Sequence, residues 1–148
     1  MDIPKKQQYQ LQVSGFTPQS KLIAIYPKLM ESEYAWNYLC AMHELKKHNL
    51  NCTLIFDSLN FNGKYDADSN TIYIHKSLSE KEFLMTLFHE INHAMYCKEM
   101  GLDAYKNDYE LEMERCIISD LDPYECNFYE VQAEKYAKQK TKEMTWVK

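Results

Sequence analysis

"LFHEINHAMY", residues 87–96, carries two histidines four positions apart, with a glutamate directly after the first. Residues four apart stand one above the other on a single face of an α-helix. At about 100° per residue, with His89 set at zero, Glu82, Met85, His93, Tyr96 and Met100 fall within about 40° of it. Leu84, Leu87, Ile91, Ala94 and Met95 fall on the opposite side. The stretch reads as a helix with a wide apolar face for a core and a separate histidine stripe. Glu90 sits about 100° round, at the edge of that stripe. Two imidazoles one turn apart can converge on one ion, and zinc suits such donors. The offset carboxylate of Glu90 can then reach a water at that ion without ligating it.

Working outward, "SLSEKE" (77–82) offers two overlapping capping boxes, Ser77 with Glu80 and Ser79 with Glu82. Gly101 is a natural stop, so the helix should span about 80–100. Upstream, "GKYDADSNTIYIHK" (63–76) has the turn residues and β-branched arm of a hairpin, and "CTLIF" (52–56) reads as a buried strand. "QYQLQV" (8–13) alternates like a short strand. Residues 20–48 repeat apolar positions at helical spacing, as one helix or as two divided near Pro27. Downstream, 102–122 is acidic and less regular, and is expected beside the cleft and partly mobile. "YELEMERCIISDL" (109–121) also fits an amphipathic helix. Pro123, at a favoured first-turn position, opens a last helix. The pattern predicts an α+β fold with a small, mostly antiparallel sheet before the histidine helix.

The 148 residues fit one domain, 1–148, with an N-terminal strand and helical part (1–50) and a core (51–148). Apolar residues make up 45%, enough for that core. A net charge of −5 speaks against a nucleic-acid surface, which needs a basic face. Five irregularly spaced cysteines do not form a disulfide framework and suit a reducing compartment. "MDIPKKQQYQ" shows no signal peptide, and no apolar run is long enough for a membrane span. A cytoplasmic protein is the expectation.

Two histidines do not hold a catalytic zinc; a third protein ligand is required, with a further position left open. "HELKKH" (43–48) does not supply it. Its histidines are five apart and diverge by about 140° on a helix, so His43 and His48 read as surface or core-edge residues. His75, alone at a strand end, reads likewise. "FYEVQAEKYA" (128–137) is more promising. Glu130 and Glu134 share a helix face with Ala133 and Ala137, whose small side chains allow close approach to another helix. One carboxylate of such a pair could ligate and the other orient a ligand histidine.

"HEINH" followed by "EVQAE" resembles the gluzincin metallopeptidase pattern H-E-x-x-H … E-x-x-A-[D/N]. The second part departs from it at Glu134, where the family has the shorter Asp or Asn. With the preceding hairpin, the tail "ExQAxxYA" and the small size, the chain looks most like the ImmA/IrrE type of small intracellular peptidase. The matched motifs cover about a third of the chain, and the 37-residue step from His93 to Glu130 leaves room for an insertion over 102–122.

The resemblance implies a zincin-like domain with one Zn2+ per chain, held by His89, His93 and Glu130, with Glu134 orienting a histidine. Glu90 would be the general base that activates the water, and the reaction would be hydrolysis of a peptide bond in a specific protein partner. It implies a substrate-pairing edge strand, here Thr71, Ile72, Tyr73, Ile74 and His75, and an oxyanion donor, for which Tyr96 and Tyr129 are candidates. Peptidases of this type usually cut one partner, often a regulatory protein, and the AT-rich flavour of the residues suits a bacterial, phage or mobile-element source. No nucleic acid or membrane partner is expected. A SprT-like reading needs a third histidine, and none follows His93. The alternative is a non-catalytic zinc-binding or interaction module on the same fold, though structural zinc would not need Glu90.

Overall fold

The apolar, β-branched runs at 53–57 and 71–75 both become strands. The computed structural model describes residues 44–144; the strand expected at 8–13, the helical reading of 20–43 and His43 lie outside them. A helical turn, α1 (44–47), leads to β1 (Thr53–Asp57), β2 (Gly63–Asp66) and β3 (Thr71–His75). Four helices follow: α2 (Glu80–Met100), α3 (Leu102–Ile118), α4 (Pro123–Cys126) and α5 (Phe128–Met144). The class is α+β, with a small three-stranded sheet. None of the helices described is long and apolar enough to cross a membrane.

The sheet is mixed rather than mostly antiparallel. Its order is β1-β3-β2, with β1 parallel to β3 and β2 antiparallel to it. Burial explains the order. Ile72 and Ile74 of β3 are fully buried, so the most buried strand takes the centre, while β2 carries Lys64 and Asp66 and lies outside it. Thr71–His75 therefore have no free edge, which corrects their assignment as the substrate edge strand. Among the described residues the open edge nearest the histidine helix belongs to β2. His75 N–H donates to Asn62 C=O at 2.8 Å and Lys64 faces Tyr73, so by antiparallel alternation Gly63 and Tyr65 turn their backbone groups away from β3.

The hairpin between β2 and β3 turns at Asn70, which adopts φ 51°, a left-handed conformation asparagine tolerates. Its side-chain oxygen accepts from the Tyr65 hydroxyl at 2.8 Å, and its amide donates to Asn51 C=O at 3.1 Å. The turn is thus tied to β2 on one side of β3 and to the start of β1 on the other.

The core lies between the sheet and α2. Leu54, Ile72 and Ile74 are fully buried with Leu87, Phe88 and Ile91. Each such side chain contributes roughly 1.5–3 kcal/mol relative to exposure. Helix α2 has the expected bounds. Ser79 Oγ accepts from Glu82 N–H at 3.2 Å and Glu82 reaches back to Ser79 N–H, so the second of the two capping boxes forms. Gly101, at φ 94°, ends α2 and begins α3 with no intervening loop.

The segment 102–122 is mostly a regular helix, α3, which extends the amphipathic-helix reading of 109–121 back to residue 102 and replaces the irregular one. Its inward set is Tyr105, Tyr109, Glu112 and Cys116, at helical spacing and all buried or half-buried. The exposed Leu111, Ile117 and Ile118 on its outer side blur that period in the sequence. The last helix also differs from its expected form. Pro123 opens only the four-residue α4, and the chain extends at Asn127 before α5 begins. The buried Asn127 side chain accepts from Tyr129 N–H at 2.8 Å, the role of a helix N-cap.

Candidate metal centre

Helices α2 and α5 are brought together by small residues. Ala133 and Ala137 are fully buried against α2, and Phe88 meets Tyr136 at 6.0 Å between ring centroids. That approach sets Glu130, in the first turn of α5, opposite the histidine stripe. Its Oε1 lies 2.8 Å from His89 Nε2 and 3.3 Å from His93 Nε2. A tetrahedral zinc with bonds near 2.0–2.1 Å separates its ligand atoms by about 3.3 Å, so these distances suit donors around one ion. Within the described residues, His89, His93 and Glu130 are the group whose donor atoms can hold a metal ion, all lying within 4.8 Å of one another.

The charges respond to this crowding. Burial pushes the Glu130 carboxyl up, but hydrogen bonds from His89 and His93 outweigh it and hold the group well below the usual carboxylate range. Burial pushes His89 down, but the Glu130 hydrogen bond, together with the charges of Glu90, Glu130 and Glu134, outweighs it, so His89 ends above its ordinary value. The N-terminal end of α5 also favours a carboxylate at Glu130.

Glu90 is placed differently. It is 7% exposed, and burial raises its carboxyl above the ordinary value, against the pull of His93 and His89. It accepts from the Tyr65 backbone N–H on the open edge of β2. Gly63, beside it, makes the close fit possible: a Cβ there would fall 2.3 Å from Thr86 Cγ2 and 3.6 Å from Glu90 Cγ. A carboxyl with a raised pKa at the margin of a donor cluster holds a proton more readily than an ordinary carboxylate, which suits a group that takes and returns one.

Helix α3 supplies groups that no motif announced. Tyr105 Oη lies 3.1 Å from His93 Nδ1 in a buried contact, and the Tyr109 hydroxyl donates to Glu130 Oε2. Burial raises the pKa of both phenols, so they stay protonated. The available signal was the i, i+4 tyrosine pair at the head of the inward set of α3. Glu134 Oε1 is 3.6 Å from His89 Nδ1, beyond hydrogen-bonding distance.

The other candidates lie elsewhere. Tyr96 packs against Phe128 and Tyr129, and the Tyr129 hydroxyl donates to Asp108. Neither joins the donor group. His75 Nδ1 accepts from Ser77 N–H, and His48 sits 3.1 Å from Glu44. A cleft of about 1210 Å³ opens over the donor group between β2, α3, α4 and α5, with Tyr65, Tyr105, Tyr109 and Tyr124 among its walls. No family model, curated protein or solved structure matches the chain.

Proposed function

We propose that the protein is a zinc-dependent metallopeptidase of the gluzincin type, similar to the ImmA/IrrE peptidases, that cuts a specific protein or peptide partner. One observation carries this reading: His89 Nε2, His93 Nε2 and Glu130 Oε1 converge at the floor of an open cleft, with the buried, pKa-raised Glu90 at its margin. A structural site would be closed by a fourth protein ligand and would have no use for Glu90.

Bound zinc would polarise the scissile carbonyl and acidify a water. The chain's own groups do the rest. Both histidines would hold the ion through Nε2, which would leave Nδ1 protonated; His93 would then donate from Nδ1 to the Tyr105 hydroxyl oxygen, fixing ring and tautomer. Tyr109 holds the second oxygen of Glu130, so that Oε1 stays turned to the histidines. Glu90 takes the proton of the attacking water and returns it to the departing amine nitrogen. With the Tyr65 N–H engaged by Glu90, the outward Gly63 backbone groups and the Tyr65 carbonyl offer an extended peptide an edge to pair with.

The test has two parts. Metal analysis of protein prepared without metal-affinity steps should give stoichiometric zinc, lost in His89→Ala. Glu90→Gln should retain zinc yet cleave no peptide in a mixed pool that the wild type digests. Zinc retention with no digestion by the wild type would leave only a binding module.

A further inference from the structure

The cleft is electrically lopsided, and the fold fixes which end is which. Helices α2 and α5 run antiparallel, since His93 meets Glu130, His89 faces Glu134 and Phe88 meets Tyr136. Residues after Glu130 therefore run toward the start of α2. Lys135 and Lys138 line the cleft in that direction, Lys138 about 12 Å along α5 from Glu130. Strand β2 runs the other way. Gly63 lies against Thr86 and Glu90, while Tyr65 packs toward Cys97 near the end of α2. Lys64 is thus nearer the lysine end than Asp66 is.

Beyond His93 the walls are α3 and α4, which contribute Glu110 and Glu125. Asp68 lies at this end too, but Lys106 already holds it at 2.7 Å. Lys64, Lys135 and Lys138 make no ion pair among the described residues, nor do Asp66, Glu110 and Glu125. Five of these six side chains are exposed and Asp66 is half-buried. Glu134 stands between the two ends, beside His89.

Resting on the peptidase reading above, we infer that this cleft selects substrates with basic residues upstream of the scissile bond and acidic residues downstream. A peptide pairing antiparallel with β2, the slightly stronger ladder, enters at Asp66 and leaves at Gly63. Its N-terminal part then lies over Asp66, Glu110 and Glu125, and its C-terminal part over Lys64, Lys135 and Lys138. Rim charges of this kind act on partner choice more than on raw affinity.

The experiment uses two fluorescent peptides of identical composition, one ordered basic–neutral–acidic and one reversed, so that net charge cancels. Each is titrated by anisotropy into zinc-loaded Glu90→Gln. The first should bind about 5- to 10-fold more tightly at low salt, as a few exposed charge contacts allow. The preference should vanish in Glu90→Gln carrying Lys135→Glu and Lys138→Glu, both on an exposed helix face that tolerates glutamate. Equal binding, or preference for the reversed peptide, would overturn the inference. Wild type that still cuts either peptide would then leave the peptidase reading intact. Ordered binding with no cutting by wild type would sink the peptidase reading and keep the polarity.

Discussion

Helices α2 and α3 both touch the donor group, yet they were written into the chain in different ways. In α2 the useful atoms come from one helix face, so spacing alone places His89, Glu90 and His93, and two caps fix the ends. In α3 the useful atoms are two tyrosine hydroxyls whose partners, His93 and Glu130, are 12 and 21 residues away. Their value exists only once Gly101 has folded α3 back over the site. The lesson is that ligands can be coded locally, whereas the groups that aim them are coded by tertiary structure.

That contrast implies an order of effects. Removing a donor should be most severe. His89→Ala or Glu130→Gln should weaken zinc binding by more than about 100-fold, seen as loss of co-purifying metal with the helical signal retained. If Glu130→Gln keeps full zinc, the third ligand is wrong. Next come the aiming groups. Tyr105→Phe and Tyr109→Phe should each cost about 10- to 100-fold in metal affinity by competition with a chelator. Glu134→Gln should cost less than about 10-fold, because Glu134 is half-exposed and too far from His89 for a hydrogen bond. Wild-type affinity in both tyrosine variants would reduce α3 to packing and erase the comparison.

Steric fit between β2 and α2 is the next test. Gly63→Ala should destabilise the fold by roughly 1–3 kcal/mol in denaturant unfolding, since its methyl would meet Thr86. Adding Thr86→Ala should recover part of that loss. No recovery would mean that the fault lies with the Tyr73 carbonyl, 3.0 Å away, instead.

The smallest effect should come from the far side of α5, where no metal is involved. Glu44 accepts from Tyr136 at 2.8 Å and pairs with Lys140 at 2.9 Å and His48 at 3.1 Å. Burial pushes its carboxyl up, but these partners outweigh it and bring the pKa from 4.5 down to about 2. A carboxyl held low in the fold contributes stability that is present above about pH 4.5 and lost as pH falls toward 2. Glu44→Gln should therefore cost about 1–2 kcal/mol at neutral pH and flatten the acid limb of stability against pH. An unchanged acid limb would show that Glu44 titrates normally.

Much of the fold was legible because its signals are short-range. The capping box at Ser79, the stop at Gly101, the Asn70 turn and the two apolar strands each announce themselves within a few residues. The donor group was legible in two steps: spacing put His89 and His93 on one face and small Ala133 and Ala137 marked a close helix contact beside Glu130 and Glu134, while only the resemblance to the gluzincin pattern singled out Glu130 of that pair. Strand order was not, because nothing local in Thr71–His75 says whether one or both edges will be paired. Nor was the break at Asn127, since Pro123 is itself a good helix opener and the continuation looks helical. The orienting tyrosines are hidden among twelve, and a place on the histidine stripe, as Tyr96 has, does not say where a hydroxyl points.

The joint at Gly101 has a mechanical meaning. With no loop between α2 and α3, one backbone residue serves as a pivot, and α3 acts as a rigid arm. Tyr109 lies eight residues out, about 12 Å along that arm. A swing of about 10° at the pivot would carry its hydroxyl about 2 Å, enough to part it from Glu130. Any side chain at position 101 would also have to endure φ 94°, so the pivot has little freedom to vary in sequence. A torsion at the protein surface is thereby geared to the aim of the donor atoms in the cleft.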